Sequence, residues 1–219
     1  MKPKHLLVRI PSERSFVITK KYQGNISLGA IVLLVIGAAI TLYLVSVYNG
    51  LVTQSQAVNS SWAQVQSQYQ RRMDLIPNLV NTVKGASNFE KSTLIDVINA
   101  RANATKITLS PELLNNPEQF SQFQKSQSEL GSTLSRLMVT VEKYPELKTN
   151  QQFAQLMDEI SGTENRIAVA RRDFNNTVQG YDTSIARFPT NMIANHFGFK
   201  HKEYFQAEAN ANQAPKVEF

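Results

Sequence analysis

Residues 26–47 read ISLGAIVLLVIGAAITLYLVSV, an apolar run without a single charge. At about 1.5 Å per residue a helix of this length spans roughly 33 Å, close to the hydrocarbon thickness of a bilayer. Tyr22, Tyr43 and Tyr48 stand near its ends, where amphipathic rings settle at the membrane–water boundary. The run exceeds the roughly 7–15 residues of a signal-peptide core, and no small-residue cleavage site follows it. The reading is a retained, single transmembrane helix.

The charges on either side differ sharply. Lys2, Lys4, Arg9, Arg14, Lys20 and Lys21 precede the run against Glu13 alone, and no further charge of either sign occurs before Arg71. The positive-inside rule therefore predicts a cytoplasmic N-terminal tail and a bulk domain in the periplasm or outside the cell. The formal charge of the whole chain is +6, but most of that excess sits in residues 1–25. A nucleic-acid-binding domain carries its excess on the folded part, so no nucleic-acid partner is expected. In the tail, Leu6–Ile10 and Phe16–Thr19 are β-prone around a turn-like Pro11-Ser-Glu-Arg14. Two readings stay open: a disordered basic tail drawn to anionic headgroups, or a short β-hairpin, which would need a partner surface.

Beyond the membrane run the periodicity is helical throughout. Leu51, Val58, Trp62, Val65, Tyr69, Ile76, Leu79 and Val83 form one stripe at steps of three and four, which carries the first helix to about Lys84. Pro77 interrupts the hydrogen-bond ladder there; a kink is expected, and the freed carbonyl near Met73 is open to a partner's donor. A second helix over Asn88–Thr105 turns Phe89, Leu94, Val97 and Ala104 inward. A third starts at the N-cap pair Asn116-Pro117 and runs to about Lys143, with Phe120, Phe123, Leu130, Leu134, Leu137 and Val141 on one face. A fourth, Asn150–Arg187, carries Phe153, Leu156, Ile160, Ile167, Phe174, Val178, Tyr181 and Ile185 and stops before Pro189. A short amphipathic piece with Met192, Ile193, Phe197 and Phe199 follows, then a polar tail over 206–219. The predicted fold is all-α: a transmembrane helix (26–47) continuing into an antiparallel four-helix bundle (48–205).

Ordered blocks of this sequence resemble the LemA family. They are Trp62-Ala-Gln-Val65, Gln68-Tyr-Gln-Arg-Arg72, Asp74-Leu-Ile-Pro-Asn-Leu-Val80, Thr82-Val-Lys-Gly85, Ala100-Arg101, the long run Gly162-Thr-Glu-Asn-Arg-Ile-Ala-Val-Ala-Arg-Arg-Asp-Phe-Asn175, Phe188-Pro189 and the terminal Pro215-Lys-Val-Glu-Phe219. The likeness runs from about residue 26 to the end. It implies a bacterial membrane-anchored helical bundle and leaves the activity open. Some members are associated with magnetosome membranes, which points toward membrane organisation. Family topology is often drawn with the bundle in the cytoplasm, and the charges of this chain argue otherwise. Two departures stand out: about 25 residues precede the anchor, and Phe174 occupies a position where the family often has Tyr.

Nothing in the pattern calls for catalysis. There is no cysteine, which excludes thiolate chemistry and Cys-type zinc sites. His5, His196 and His201 form no i, i+4 pair, and neither a nucleophile elbow nor a phosphate-binding loop motif is present. No metal or cofactor is expected, and a hydrolase hidden in the bundle is the remotest alternative. The residues singled out are structural or interaction candidates. Arg71, Arg72, Asp74, Arg101, Glu164, Arg166, Arg171 and Asp173 lie at or beside core-facing positions, and inter-helix ion pairs that fix register are their simplest role, since a buried charge must be paired. An acid/base pair using Glu164 or Asp74 and contacts to a partner are the alternatives. Trp62, the only tryptophan, reads as a core anchor. Pro77 reads as a kink. Val217 and Phe219, alternating in the terminal peptide, suit docking into a groove or on a sheet edge, within the oligomer or onto another protein; a dangling tail is the alternative. The expected partners are the lipid bilayer of the bacterial inner membrane, further copies of the chain and another membrane protein.

Overall fold

The computed structural model describes residues 27–85 and 89–206. The candidate hairpin in residues 1–25 and the candidate docking residues Val217 and Phe219 lie outside them. Among the described residues the structure is helical with no strand: α1 Leu28–Lys84, α2 Lys91–Thr105, α3 Pro117–Val141, α4 Pro145–Lys148, α5 Gln151–Ala186 and α6 Thr190–Phe197, with a 3-10 turn at Pro111–Asn115. The chain divides into two compact units within α1, after Thr41.

In the first unit, the side chains of Leu28, Leu33, Leu34 and Val35 are all more than 60% exposed. The exposed apolar surface continues through Leu42, Tyr43, Leu44 and Val45 at the start of the second unit. This is the one helix among the described residues long and apolar enough to cross a membrane, and none of its most apolar stretch is buried in protein. A soluble core helix buries that surface; here lipid is the solvent that suits it.

The second unit is an antiparallel bundle of the four long helices α1, α2, α3 and α5. Every stripe residue named above on α1, α2 and α3 is buried, and on α5 only Leu156 is partly exposed. The N-caps are chemical: Asn116 Oδ1 accepts from the amide of Gln119 at 3.0 Å, and Asn150 Oδ1 accepts from that of Phe153 at 3.0 Å, satisfying orphan donors of α3 and α5. α3 ends at Val141, two residues short of the expected Lys143, because Tyr144 precedes Pro145 and is pushed out of the helical region. α2 packs closely on α3, its Ala100 and Ala104 admitting a near approach.

Pro77 lies inside α1 without ending it. The carbonyl of Met73, four residues back, has lost its helical donor and accepts instead from Arg101 Nε on α2 at 3.0 Å. Beyond α6 the helical pattern gives way to an extended strap. Gly198, with φ 77°, makes the left-handed C-cap that turns the chain, and residues 199–206 then run back across the bundle. Asn175 holds both backbone groups of Phe205, accepting its amide at 3.0 Å and donating to its carbonyl at 2.9 Å. Tyr181 donates to the carbonyl of Lys200 at 3.0 Å, and the amide of Glu203 donates to that of Leu114 at 3.1 Å.

Candidate functional site

The core of the bundle is in two parts. The membrane-proximal part gathers Leu51, Val58, Trp62, Val65 and Tyr69 of α1 against Phe120, Phe123, Phe174, Tyr181 and Phe205. The distal part gathers Met73, Ile76, Leu79 and Val83 against Val97, Leu130, Leu137 and Ile160. Between Tyr69 and Met73 on α1, between Phe123 and Leu130 on α3, and between Ile160 and Ile167 on α5 lie Arg72, Gln127 and Glu164. These three meet. Arg72 is 2% exposed; its Nη1 donates to Glu164 Oε1 at 2.7 Å, and its Nη2 bonds to the side-chain oxygen of Gln127 and to the Gln127 carbonyl at 3.4 Å. The guanidinium carbon lies 5.2 Å from the centre of the Tyr69 ring, an added cation–π contact. Gly131 faces the head group, where an added Cβ would sit in ordinary contact with Nη1 at 3.9 Å.

This polar layer ties three helices at one level. The cost of desolvating the guanidinium is offset by a carboxylate and an amide held in place, and shifting any helix by a turn would break them. Burial pushes the Tyr69 phenol above its ordinary value, a rise that Arg171 and Arg72 partly oppose. A groove of about 840 Å³ opens over the layer between α3 and α5, lined by Arg72, Glu164, Lys125, Arg171 and the serines Ser128, Ser132 and Ser135. Arg171 closes one end of it, donating to the carbonyl of Gln206 at 3.1 Å and lying 4.7 Å over the Phe205 ring.

The other singled-out residues do not join this constellation. Arg71 is exposed and approaches Glu159 at 3.9 Å. Asp74 is exposed and accepts from Gln70 one turn earlier at 2.8 Å. Arg166 folds back on Thr163 of its own helix at 3.3 Å, and Asp173 meets its neighbour Arg172 at 3.4 Å. Glu164 is engaged by Arg72, and the contact of Asp74 stays within α1. Trp62 is fully buried, with Phe174 at 5.5 Å, Phe123 at 5.8 Å and Phe120 and Phe205 at 6.1 Å; its Nε1 meets no acceptor, so it serves as an apolar anchor. No group of three or more metal-ligating side chains occurs among the described residues.

Sequence reasoning missed Gln127, Phe205, Asn175 and Asp182. Asp182 accepts from the amide of Lys202 at 3.3 Å and lies 3.3 Å from His201 Nδ1, clasping the strap. The signal for Phe205 was the aromatic pair Tyr204-Phe205 in an otherwise polar segment.

The sequence model of the LemA family matches residues 61–219, which include α1 from Ser61, the polar layer and the strap. This chain belongs to the LemA family. Among curated relatives it is similar to Magnetosome protein MamQ 2 of Paramagnetospirillum magneticum, 27% identical over 186 residues, covering 78% of this chain and 68% of the relative. Magnetosome protein MamQ of Magnetospirillum gryphiswaldense is 26% identical over the same span. Protein LemA of Metamycoplasma hominis is 25% identical over 159 residues, covering 73% of this chain and 68% of the relative. With the exposed apolar half of α1, this LemA-family chain is membrane-associated.

Proposed function

We propose that this LemA-family chain is a non-enzymatic, membrane-anchored scaffold that self-associates through the outer face of α1. The observation that carries this is a stripe at helical spacing, Gln56, Ser60, Ala63, Ser67 and Gln70, that is exposed along its whole length and carries no charge. Soluble surfaces ordinarily hold about a quarter to a third charged residues. Two hollows flank the stripe and share Ala63 and Ser67 as walls: one of about 640 Å³ against α5 and one of about 460 Å³ toward α2 and α3. A helix from a second copy fits such a ridge between grooves, and the amides of Gln64, Gln66 and Gln70 supply lateral hydrogen bonds.

The chain sits in the bacterial cytoplasmic membrane, with its basic tail in the cytoplasm and the bundle outside, as the charge asymmetry favours. Relatives named as magnetosome proteins agree with a role in organising membranes. The test is the native mass of the protein after gentle extraction. A homo-oligomer is expected, and a clean monomer would refute it. For topology, Val139→Cys in this cysteine-free chain is expected to react with an impermeant maleimide on intact spheroplasts. A second reading, an adaptor for a membrane enzyme or protease complex, draws on the groove over Arg72, whose lining of Lys125, Glu129, Glu164 and serines suits a polar segment of mixed charge. It predicts a stoichiometric second protein in the same extract.

A further inference from the structure

α6 and the residue before it carry large apolar side chains that nothing among the described residues covers. Ile193 and Ala194 are buried against the bundle, yet Met192 is 65% exposed, Phe197 57% and Phe188, just before the helix, 80%. Exposed aromatic and sulfur-bearing side chains at this density on so short a helix are unusual on a water-facing surface. Their position is informative. The Phe197 ring lies 4.9 Å from that of Tyr48, edge to face, and Phe199 lies 5.9 Å from it. Tyr48 is one residue past the apolar run of α1, and the neighbouring Leu42, Tyr43, Leu44 and Val45 are exposed on the same helix. Phe197 therefore stands at the level where α1 leaves the hydrocarbon. Arg187 and Lys200, both exposed, bracket the helix.

We infer that α6 is an interfacial foot: Phe188, Met192 and Phe197 insert among the lipid headgroups and upper acyl chains beside the span, with Arg187 and Lys200 against lipid phosphates. The occupant of this face is the lipid surface, because Phe197 packs on Tyr48 at the end of the apolar run of α1, whose side chains Leu42, Tyr43, Leu44 and Val45 are exposed just before it. Short amphipathic helices with aromatic and aliphatic side chains on one face and cations at the margin bind in this way. The inference rests on α1 crossing the bilayer. Its consequence is mechanical: two points of attachment, a span and a foot, hold the bundle in one orientation over the membrane, which a lone span with a free bundle does not.

The absence of native cysteine makes the test direct. Spin labels are placed on the full chain at Met192→Cys, at Leu42→Cys in the span and at Val139→Cys, an equally exposed apolar position in the distal half. Each protein is reconstituted in mixed phosphatidylcholine–phosphatidylglycerol vesicles. Oxygen, which concentrates in lipid, is expected to relax the labels at 192 and 42 several-fold more effectively than a water-soluble nickel chelate, and the order is expected to reverse at 139. A label at 192 that behaves like the one at 139 while 42 reads lipid would overturn the foot and leave the span intact. Shielding of 192 from both reagents would mean that protein covers the face, and would also overturn it. Water-like behaviour at 42 would remove the spanning reading, and the foot with it.

Discussion

Arg72 and Glu164 are not equal partners. The arginine side chain is 3% exposed and the glutamate 39%. If the arginine is lost, Glu164 can return to water, and what remains buried and unsatisfied is mainly the Gln127 amide, a penalty of about 1–3 kcal/mol. If the carboxylate is lost, a full charge stays buried with only an amide to face, and that costs about 3–5 kcal/mol, at the low end because Glu164 is partly solvated. Glu164→Ala is therefore expected to lower the midpoint of thermal unfolding of the full chain in detergent more than Arg72→Met, and equal or reversed effects would contradict the polar-layer account. Tyr69 makes a second test at this scale. Its folded phenol holds its proton above the ordinary value because it is buried, whereas the unfolded phenol ionises near 10. Above about pH 10 the unfolded chain loses the proton first, so stability is full below that pH and falls as pH rises further. Tyr69→Phe is expected to flatten that alkaline fall in pH-dependent denaturation. Arg72 and Glu164 were legible in the sequence because each interrupts an apolar stripe with a charge. Gln127 was not, because it is one glutamine in an α3 rich in glutamine and serine.

The elements divide along the same line. The long helices follow from apolar stripes that need no knowledge of their partners. Pro77 announced a broken ladder, but only the fold shows that Arg101 takes up the Met73 carbonyl. The strap over 199–206 was invisible: it has no period, and its backbone is held by the side chains of Asn175, Gln124 and Asp182, which mean nothing until α3 and α5 are side by side. Phe205 is its anchor. Phe205→Ala is expected to destabilise the bundle by about 3–5 kcal/mol and to shift the emission of Trp62, whose ring lies 6.1 Å from it at an interplanar angle of 30°, toward the red. An unshifted spectrum would mean that the strap does not seal the tryptophan. The exposed face of α6 was likewise hidden, because an amphipathic piece can be read from the sequence without showing which side meets the bundle.

For the molecule as a whole, the anchor and the helical bundle were legible because bilayer thickness and helical period both write themselves into a single chain. Association is a property of surfaces, and what marks the α1 stripe is that it remains exposed among the described residues. Under the proposed self-association Ala63 and Ser67 sit where a second copy would approach, and both are exposed. Ser67→Glu together with Ala63→Lys is expected to reduce the gently extracted particle to a monomer while the circular dichroism melt stays within a degree or two of the parent, as surface substitutions normally do. A particle of unchanged mass would move the interface elsewhere.

Phe205 and Trp62 touch, yet they are separated by nearly the whole bundle in sequence. Contacts of such long separation close late. During synthesis α1, with Trp62, is made first, while the Phe205 ring that covers Trp62 has not been made. The membrane-proximal half therefore passes through a stage in which its aromatic centre lies open beside the membrane surface, in a state prone to capture by other apolar chains. Synthesis runs opposite to proximity: the half nearest the apolar run waits for Phe205, whereas every buried residue of the distal half has been made by Ile160.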